Sequence, residues 1–333
     1  MNKAESFKNS FLSTNCDKFS LKTWILRLLK DVSFETVTKM ADSIRREIHG
    51  DTVHLRAIIE FSNYCKCNCL FCGIRRENRK LSRYRMSEEE IVKVAKEAAE
   101  EGFKTIVLQS GEDPFWNAER LSKVVREIKK LNVAVTLSVG ELSYDEYAVL
   151  REAGADRYLL KFETSDEKLF KRLKPDTTLD RRIQCLRWLK ELGYETGSGI
   201  IVGLPGQSLE SLAADIALMK ELELDMAGIG PFIPHPETPL GIYPVGDVFL
   251  TLKILAITRI LLPRANMPAT TALGSLSPDL RLKAFYCGAN VIMPDVTPER
   301  YKNLYEIYPG KNQSKSSYSY WKNVFKNVGR KVL

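Results

Sequence analysis

The chain lacks any apolar run long enough to cross a bilayer, and its opening, Met1-Asn-Lys-Ala-Glu, has no secretory core. Both absences point to a reduced, cytoplasmic protein with no membrane partner. Histidine is scarce: His49, His54 and His235 are the only three in 333 residues, and each is isolated. Cysteine is little commoner, seven in all, with Cys16, Cys185 and Cys287 scattered. No second cysteine pair or His pair exists to complete a zinc knuckle. A chain this long has no need of a disulfide framework. Charge of one sign is not clustered either. The net charge is +8 and the pI about 9.0, but the excess is spread, and only 311–331 approaches a basic run. Tyr318, Tyr320 and Trp321 lie in that run. A nucleic-acid surface asks for a basic face interleaved with aromatics. A mildly basic surface that favours small anions is the simpler reading.

The other four cysteines fall within eight positions, Cys65-Lys-Cys67-Asn-Cys69-Leu-Phe71-Cys72. Cys65, Cys69 and Cys72 have the spacing Cys-x3-Cys-x2-Cys. Three thiolates on one loop suit three corners of an iron–sulfur cube and leave one iron open to chelate a small molecule. Cys67 falls inside the x3 gap and reads as a bystander thiol. With Phe71 before the last cysteine, the segment resembles the signature of the radical S-adenosylmethionine (SAM) enzymes. The resemblance implies SAM on the open iron and its reductive cleavage to a 5′-deoxyadenosyl radical.

Around this loop the pattern alternates. Strands are expected over 55–61, 105–109, 133–138, 157–161, 196–204, 225–232, 267–272 and 290–293. Helical stripes lie between them, such as Ile91, Val94, Ala95 and Ala98, or Leu121, Val124, Val125 and Ile128. Ser87 with Glu90 and Ser143 with Glu146 read as capping boxes. Eight strands alternating with helices predict an α/β fold, a (β/α)8 TIM barrel of the radical SAM type over 51–296. The alternative is a doubly wound open sheet. A helical extension is expected over 1–50, and a C-terminal segment over 297–333 covering the barrel edge.

Polar motifs fall at the predicted strand ends. Ser110-Gly111-Glu112 follows the second strand and resembles the turn that receives the SAM amino group. Glu163 follows the fourth strand, where it suits SAM hydroxyls or a helix start. Arg182 suits the SAM carboxylate, or a plain helix surface. Gly199-Ile-Ile-Val-Gly203 resembles the radical SAM adenine platform. Phe71 and Met293 complete the candidate SAM contacts.

Long collinear segments carry a narrower resemblance. They include 65–73, 106–113, 153–160, 202–207, 228–236, 268–272 and 288–294, and they are similar to the HydE family, radical SAM maturases of [FeFe]-hydrogenase. That resemblance implies one [4Fe–4S] cluster, SAM, and an organometallic substrate, an iron carbonyl–cyanide complex bearing a cysteine whose sulfur the radical attacks. It implies that Thr136, Arg157, Thr270 and Thr271 hold the substrate and that Tyr305 closes the mouth. It also implies a ferredoxin- or flavodoxin-like reductant and other hydrogenase maturases as partners. Family members commonly read Arg-His where this chain has Lys161-Phe162. That departure keeps open a mutase of the methylornithine synthase type. A non-catalytic iron–sulfur protein is the reading from a different class. No cysteine follows Cys287, so a single cluster is expected.

Anaerobic reconstitution should give about four irons per chain. Serine at Cys65, Cys69 or Cys72 should abolish SAM cleavage, whereas Cys67→Ser should retain it. Loss of the cluster in Cys67→Ser with retention in Cys65→Ser would reverse the ligand assignment.

Overall fold

The computed structural model describes residues 18–311 and 317–333. Cys16 and the start of the expected helical extension lie outside the described residues. Two helices come first, α1 (Lys18–Lys30) and α2 (Phe34–His49). Ser33 caps α2, and Gly50 ends it at φ 58°. Then follow β1 (Thr52–Leu55), β2 (Ala57–Ser62), α3 (Glu88–Glu101), β3 (Thr105–Ser110), α4 (Ala118–Lys129), β4 (Ala134–Ser138) and α5 (Tyr144–Glu152). The chain continues through β5 (Arg157–Leu159), α6 (Glu167–Leu173), α7 (Leu179–Glu191), β6 (Glu195–Val202), α8 (Leu209–Glu221), β7 (Met226–Pro231) and α9 (Val248–Leu261). It closes with α10 (Thr271–Leu276), α11 (Pro278–Lys283), β8 (Val291–Ile292), α12 (Tyr318–Asn327) and β9 (Lys331–Val332).

Local chemistry sets the helices. The capping boxes at Ser87 and Ser143 are both formed, and each satisfies two backbone donors. The stripe of Leu121, Val124, Val125 and Ile128 is the buried face of α4. Helix α9 buries residues almost all round, because it packs against β7 on one side and α2 on the other.

β2 to β7 form one parallel sheet in sequence order. The order never reverses, so there is no switch point and the doubly wound alternative falls. The fold is α/β with the parallel sheet of a TIM-barrel type. Its ring is not a continuous ladder. The expected seventh strand at 267–272 is irregular: Asn266 bridges Met226, Pro268 bridges Val291, and Asp295 bridges Ile58. Pro268 has no N–H to give a ladder, and the chain turns into α10 at Thr271. The expected first strand also divides. β1 joins β8 and β9 in a second, smaller parallel sheet, while β2 stays in the ring.

Strand direction decides which residues share a face of the ring. β2 and β5 run parallel, so Arg157, first residue of β5, lies at the end opposite the cysteine loop. Its Nε is 2.6 Å from Glu195 Oε2, its register partner on β6. Its Nη1 reaches Thr105 Oγ1 at 3.4 Å. The expected substrate clamp is therefore a structural ion pair. Arg157→Ala should cost about 1 kcal/mol of stability and leave the response of SAM cleavage to substrate unchanged. Unchanged stability with a lost response would return Arg157 to the site.

Candidate active site

The cysteine loop leaves β2 and lies across the turn after β3. Gly111 N–H donates to Ser62 O at 3.1 Å, and Lys66 N–H donates to Glu112 O at 2.8 Å. Glu112 N–H points at Cys65 Sγ, 3.4 Å away. Position 111 must be glycine, since a Cβ there would lie 2.2 Å from Tyr64 O and 2.8 Å from Cys65 Cβ. The segment after α6 docks on the other flank. Leu70 N–H donates to Leu173 O at 2.9 Å, and Asn68 N–H donates to Asp176 Oδ2 at 2.6 Å. Ser110-Gly111-Glu112 is thus held beside Cys65.

The sulfurs differ in environment. A hydrogen bond from the Cys67 thiol brings the Cys65 pKa down to about 7, and the same bond pushes Cys67 up. Burial pushes Cys72 up, and the nearby Cys69 and Cys65 thiolates add to it. Burial also raises Cys69, opposed by the Lys174 ammonium. Lys174 is buried, and its Nζ lies 3.3 Å from Cys69 Sγ. A buried ammonium is costly without an anion, so this contact calls for a thiolate at Cys69, as metal ligation provides. No three Cys, His, Asp or Glu side chains among the described residues gather closely enough to hold a single ion. The Cys-x3-Cys-x2-Cys donors on one loop, with Lys174 against Cys69, fit three corners of an iron–sulfur cluster.

Arg182, on α7, is buried between two carboxylates. Its Nε is 2.8 Å from Glu141 Oε1, and its Nη2 is 3.5 Å from Glu112 Oε1. Burial opposes its charge, but Glu141 and then Glu112 hold its pKa above the ordinary value. The structure brings Arg182 and Glu112 together beside the loop. Glu141 is a third member that the sequence did not reveal.

A cavity of about 290 Å³ runs from Phe71 and Cys72 into the ring. That size suits a small molecule and not a polymer. Thr136, Glu163, Thr270, Thr271 and Met293 also line it. Thr270 and Thr271 both reach it, though strand alternation would send one away. The turn into α10 removes that alternation. The Oγ1 atoms of Thr136 and Thr270 are buried without a hydrogen-bond partner. Glu163 has a left-handed φ of 65°, which costs on the order of 1–3 kcal/mol. Its N–H donates to Gly199 O at 3.0 Å, and its carbonyl accepts from Ile201 N–H at 3.1 Å. Its carboxylate is 2.8 Å from Lys161 Nζ.

Three expectations change. Gly199 does not line the cavity, and a Cβ there would lie 1.9 Å from Gly228 O. Close strand approach is by itself enough to demand that glycine. Tyr305 is buried outside the cavity, and the tyrosine that lines it is Tyr308. Phe162 is buried in the apolar core, so of the Lys161-Phe162 departure only Lys161 reaches the cavity.

The cation at the inner end is Arg56, not Arg157. Arg56 lines the cavity, and its recorded partner is Met226 Sδ, 3.0 Å from Nη1. Burial, followed by repulsion from Arg157, brings its pKa to about 10. Arg56, Ile58 and Glu60 sit at every second position of one chain segment, and all three face inward. Glu60 is fully buried and pairs with Lys311, which also lies 3.4 Å from Asp295 Oδ2. Burial, then Asp295, pushes the Glu60 pKa well up. Gln109 Nε2 donates to Glu60 at 3.3 Å.

Comparison with known proteins agrees with this geometry. The radical SAM superfamily model matches residues 59–236. The chain is 57% identical over 277 residues to the [FeFe] hydrogenase maturase subunit HydE of Thermotoga maritima, covering 83% of this chain and 80% of that one. The chain belongs to the radical SAM superfamily, in its HydE branch. It is 32% identical to the 3-methylornithine synthase of Methanosarcina acetivorans, over 80% of this chain and 76% of that one. The solved methylornithine synthase PylB superposes with a TM-score of 0.85 at 25% identity, covering 99% of this chain and 97% of that one. The hydrogenase maturase HydG shares the fold, with a TM-score of 0.80 at 19% identity over 99% of this chain and 79% of that one. A radical SAM enzyme cleaves SAM, and the cofactors of this one are a [4Fe–4S] cluster and SAM.

Lys311→Met should leave Glu60 and Asp295 buried together without the ammonium that faces both, at about 3–5 kcal/mol. Lys311 is among the groups that hold the Glu60 pKa down, so Glu60 of the variant titrates higher still than that of the wild type. A carboxylate whose folded pKa is raised loses stability as pH rises above its unfolded value, so the loss relative to wild type should be no smaller at pH ~8 than at pH ~6. Urea melts at both pH values measure it. A loss below about 1 kcal/mol at both would show that Lys311 is not the cation that stabilises this pair.

Proposed function

We propose that the chain is a HydE-type maturase acting on a cysteine-bearing iron carbonyl–cyanide complex in assembly of the di-iron site of [FeFe]-hydrogenase. Bound together, the reduced cluster and SAM supply a 5′-deoxyadenosyl radical. The remaining work belongs to the chain's own side chains. Arg182, balanced by Glu141 and Glu112, presents a fixed guanidinium edge beside the cluster loop for the SAM carboxylate. Glu112 and the Ser110 turn offer acceptors for the SAM amino group. Glu163 offers its carboxylate to the ribose hydroxyls. Phe71 and Met293 line the cavity that begins at Cys72 and would exclude water from bound SAM.

One observation supports the substrate reading above the others. The same cavity that begins at Cys72 ends at Arg56, a buried guanidinium with no carboxylate on it among the described residues. Thr136 and Thr270 add two unpaired hydroxyls. A carboxylate with cyanide and carbonyl ends would satisfy all three groups, and 290 Å³ holds a molecule of that size. SAM held at the Cys72 end would supply the radical chemistry, and Arg56, Thr136 and Thr270 would hold the substrate with its sulfur toward that end. Electrons would come from a ferredoxin or flavodoxin, and the product would pass to other maturases in the cytoplasm.

A second reading has its own support. Similarity to 3-methylornithine synthases and the Lys161 departure both suit an amino-acid mutase of the methylornithine synthase type. The products separate the readings. Formation of 3-methylornithine with no acceleration by the iron complex would replace the maturase reading.

Arg56→Met tests the substrate end. It removes an unpaired buried charge, so the melting temperature should hold or rise. Loss of one charge-assisted hydrogen bond costs roughly 1.5–3 kcal/mol, so the apparent affinity for the substrate should fall about ten- to a hundredfold. Substrate-free SAM cleavage should persist. Unchanged substrate affinity would remove Arg56 from the site.

A further inference from the structure

We infer that Lys174 is a positioning residue for electron entry: its ammonium hydrogen-bonds the Cys69 sulfur and raises the reduction potential of the cluster. The inference rests on Cys65, Cys69 and Cys72 holding that cluster.

Sequence gives Lys174 no distinction, since it lies in the ordinary run Arg172-Leu-Lys174-Pro-Asp176. Structure does. Lys174 is the C-cap residue of α6, with its own N–H donated to Phe170 O. Its chain segment is tied to the cysteine loop on both sides. Leu173 O accepts from Leu70 N–H at 2.9 Å, and Asp176 Oδ2 accepts from Asn68 N–H at 2.6 Å. Cys69 lies between Asn68 and Leu70, and Lys174 lies between Leu173 and Asp176. The ammonium is thereby aimed at one sulfur, 3.3 Å away. The Phe71 ring packs on the same ammonium, with its centroid 5.9 Å from Nζ.

Burial decides what such an ammonium does. Lys174 is buried with 8% exposure. No carboxylate forms an ion pair with it among the described residues. The cluster is the anion that this charge faces, and reduction adds one more negative charge to it. A fixed cation in a poorly screened site stabilises the more negative state more strongly. Hydrogen bonds to cluster sulfurs and local net charge are among the terms that set such potentials. The cluster must be reduced before SAM is cleaved, so a raised potential lets a weaker reductant load it.

The test is an anaerobic EPR-monitored redox titration of the reconstituted protein without SAM, for wild type, Lys174→Met and Lys174→Arg. Iron content and the EPR signal report cluster assembly separately from the potential. Lys174→Met should assemble the cluster and be reduced about tenfold less favourably, about 59 mV lower for a one-electron couple. Lys174→Arg should stay near wild type. An unchanged potential in Lys174→Met overturns the proposal, and weakened SAM binding beside it would mark Lys174 as a SAM anchor instead. The wild type gives a readout that needs no variant. Protein labelled with ¹⁵N at the lysine side chains should show a ¹⁵N hyperfine coupling to the reduced cluster. Its absence overturns the hydrogen bond, even where Lys174→Met fails to assemble.

Discussion

The site depends on one contact, the cysteine loop pressed on the turn after β3. Gly111 lets the two backbones approach to a distance that no side chain would allow. The contact sets Cys65 against the Glu112 amide and brings the Ser110 turn to the cluster. The opposite flank is closed by the segment after α6, which delivers Lys174 and Asp176. The three cysteines are thus clamped between two segments carried by neighbouring parts of one parallel sheet. Parallel strands make this possible, because all their C-terminal ends face the same way.

Charge is arranged in layers from that contact inward. Beside the cluster loop, Arg182 lies between Glu112 and Glu141, so a second ligand carrying both an ammonium and a carboxylate meets complementary groups. In the middle, Lys161 and Glu163 face each other across the cavity wall. At the inner end Arg56 has no carboxylate on it among the described residues, and along the same cavity the hydroxyls of Thr136 and Thr270 are unpaired. Native interiors seldom leave polar groups unpaired. On the proposed reading, these unpaired groups are the ones a bound substrate would satisfy.

Much of this was legible in the chain. The Cys-x3-Cys-x2-Cys spacing, the capping boxes and the alternation of strands with helices are local signals, and local signals survive folding. The failures came where the answer depended on direction or register. Arg157 was read as a clamp because it sits in a strand segment of the resemblance, but only strand direction shows that it starts its strand at the far end. Arg56 was missed, although Arg56, Ile58 and Glu60 share one face by period two. Period two gives a strand two faces, and only the assembled ring shows which of them turns inward. Tyr305 and Tyr308 are three residues apart, and only the path of the chain shows which one reaches the cavity. Pro268 signalled an irregular seventh strand, and a simple count of eight overlooked it. Lys174 carried no signal, since its role exists only through the docking of two distant loops.

The central claim is that this chain does HydE chemistry rather than SAM cleavage alone. The direct measurement is activation of apo-[FeFe]-hydrogenase in a defined maturation mixture from which HydE is omitted and this chain is added. The account predicts hydrogen evolution that requires the chain and SAM and disappears with Cys72→Ala. SAM cleavage by the added chain with no hydrogenase activation, in a mixture where an authentic HydE restores it, would contradict the account.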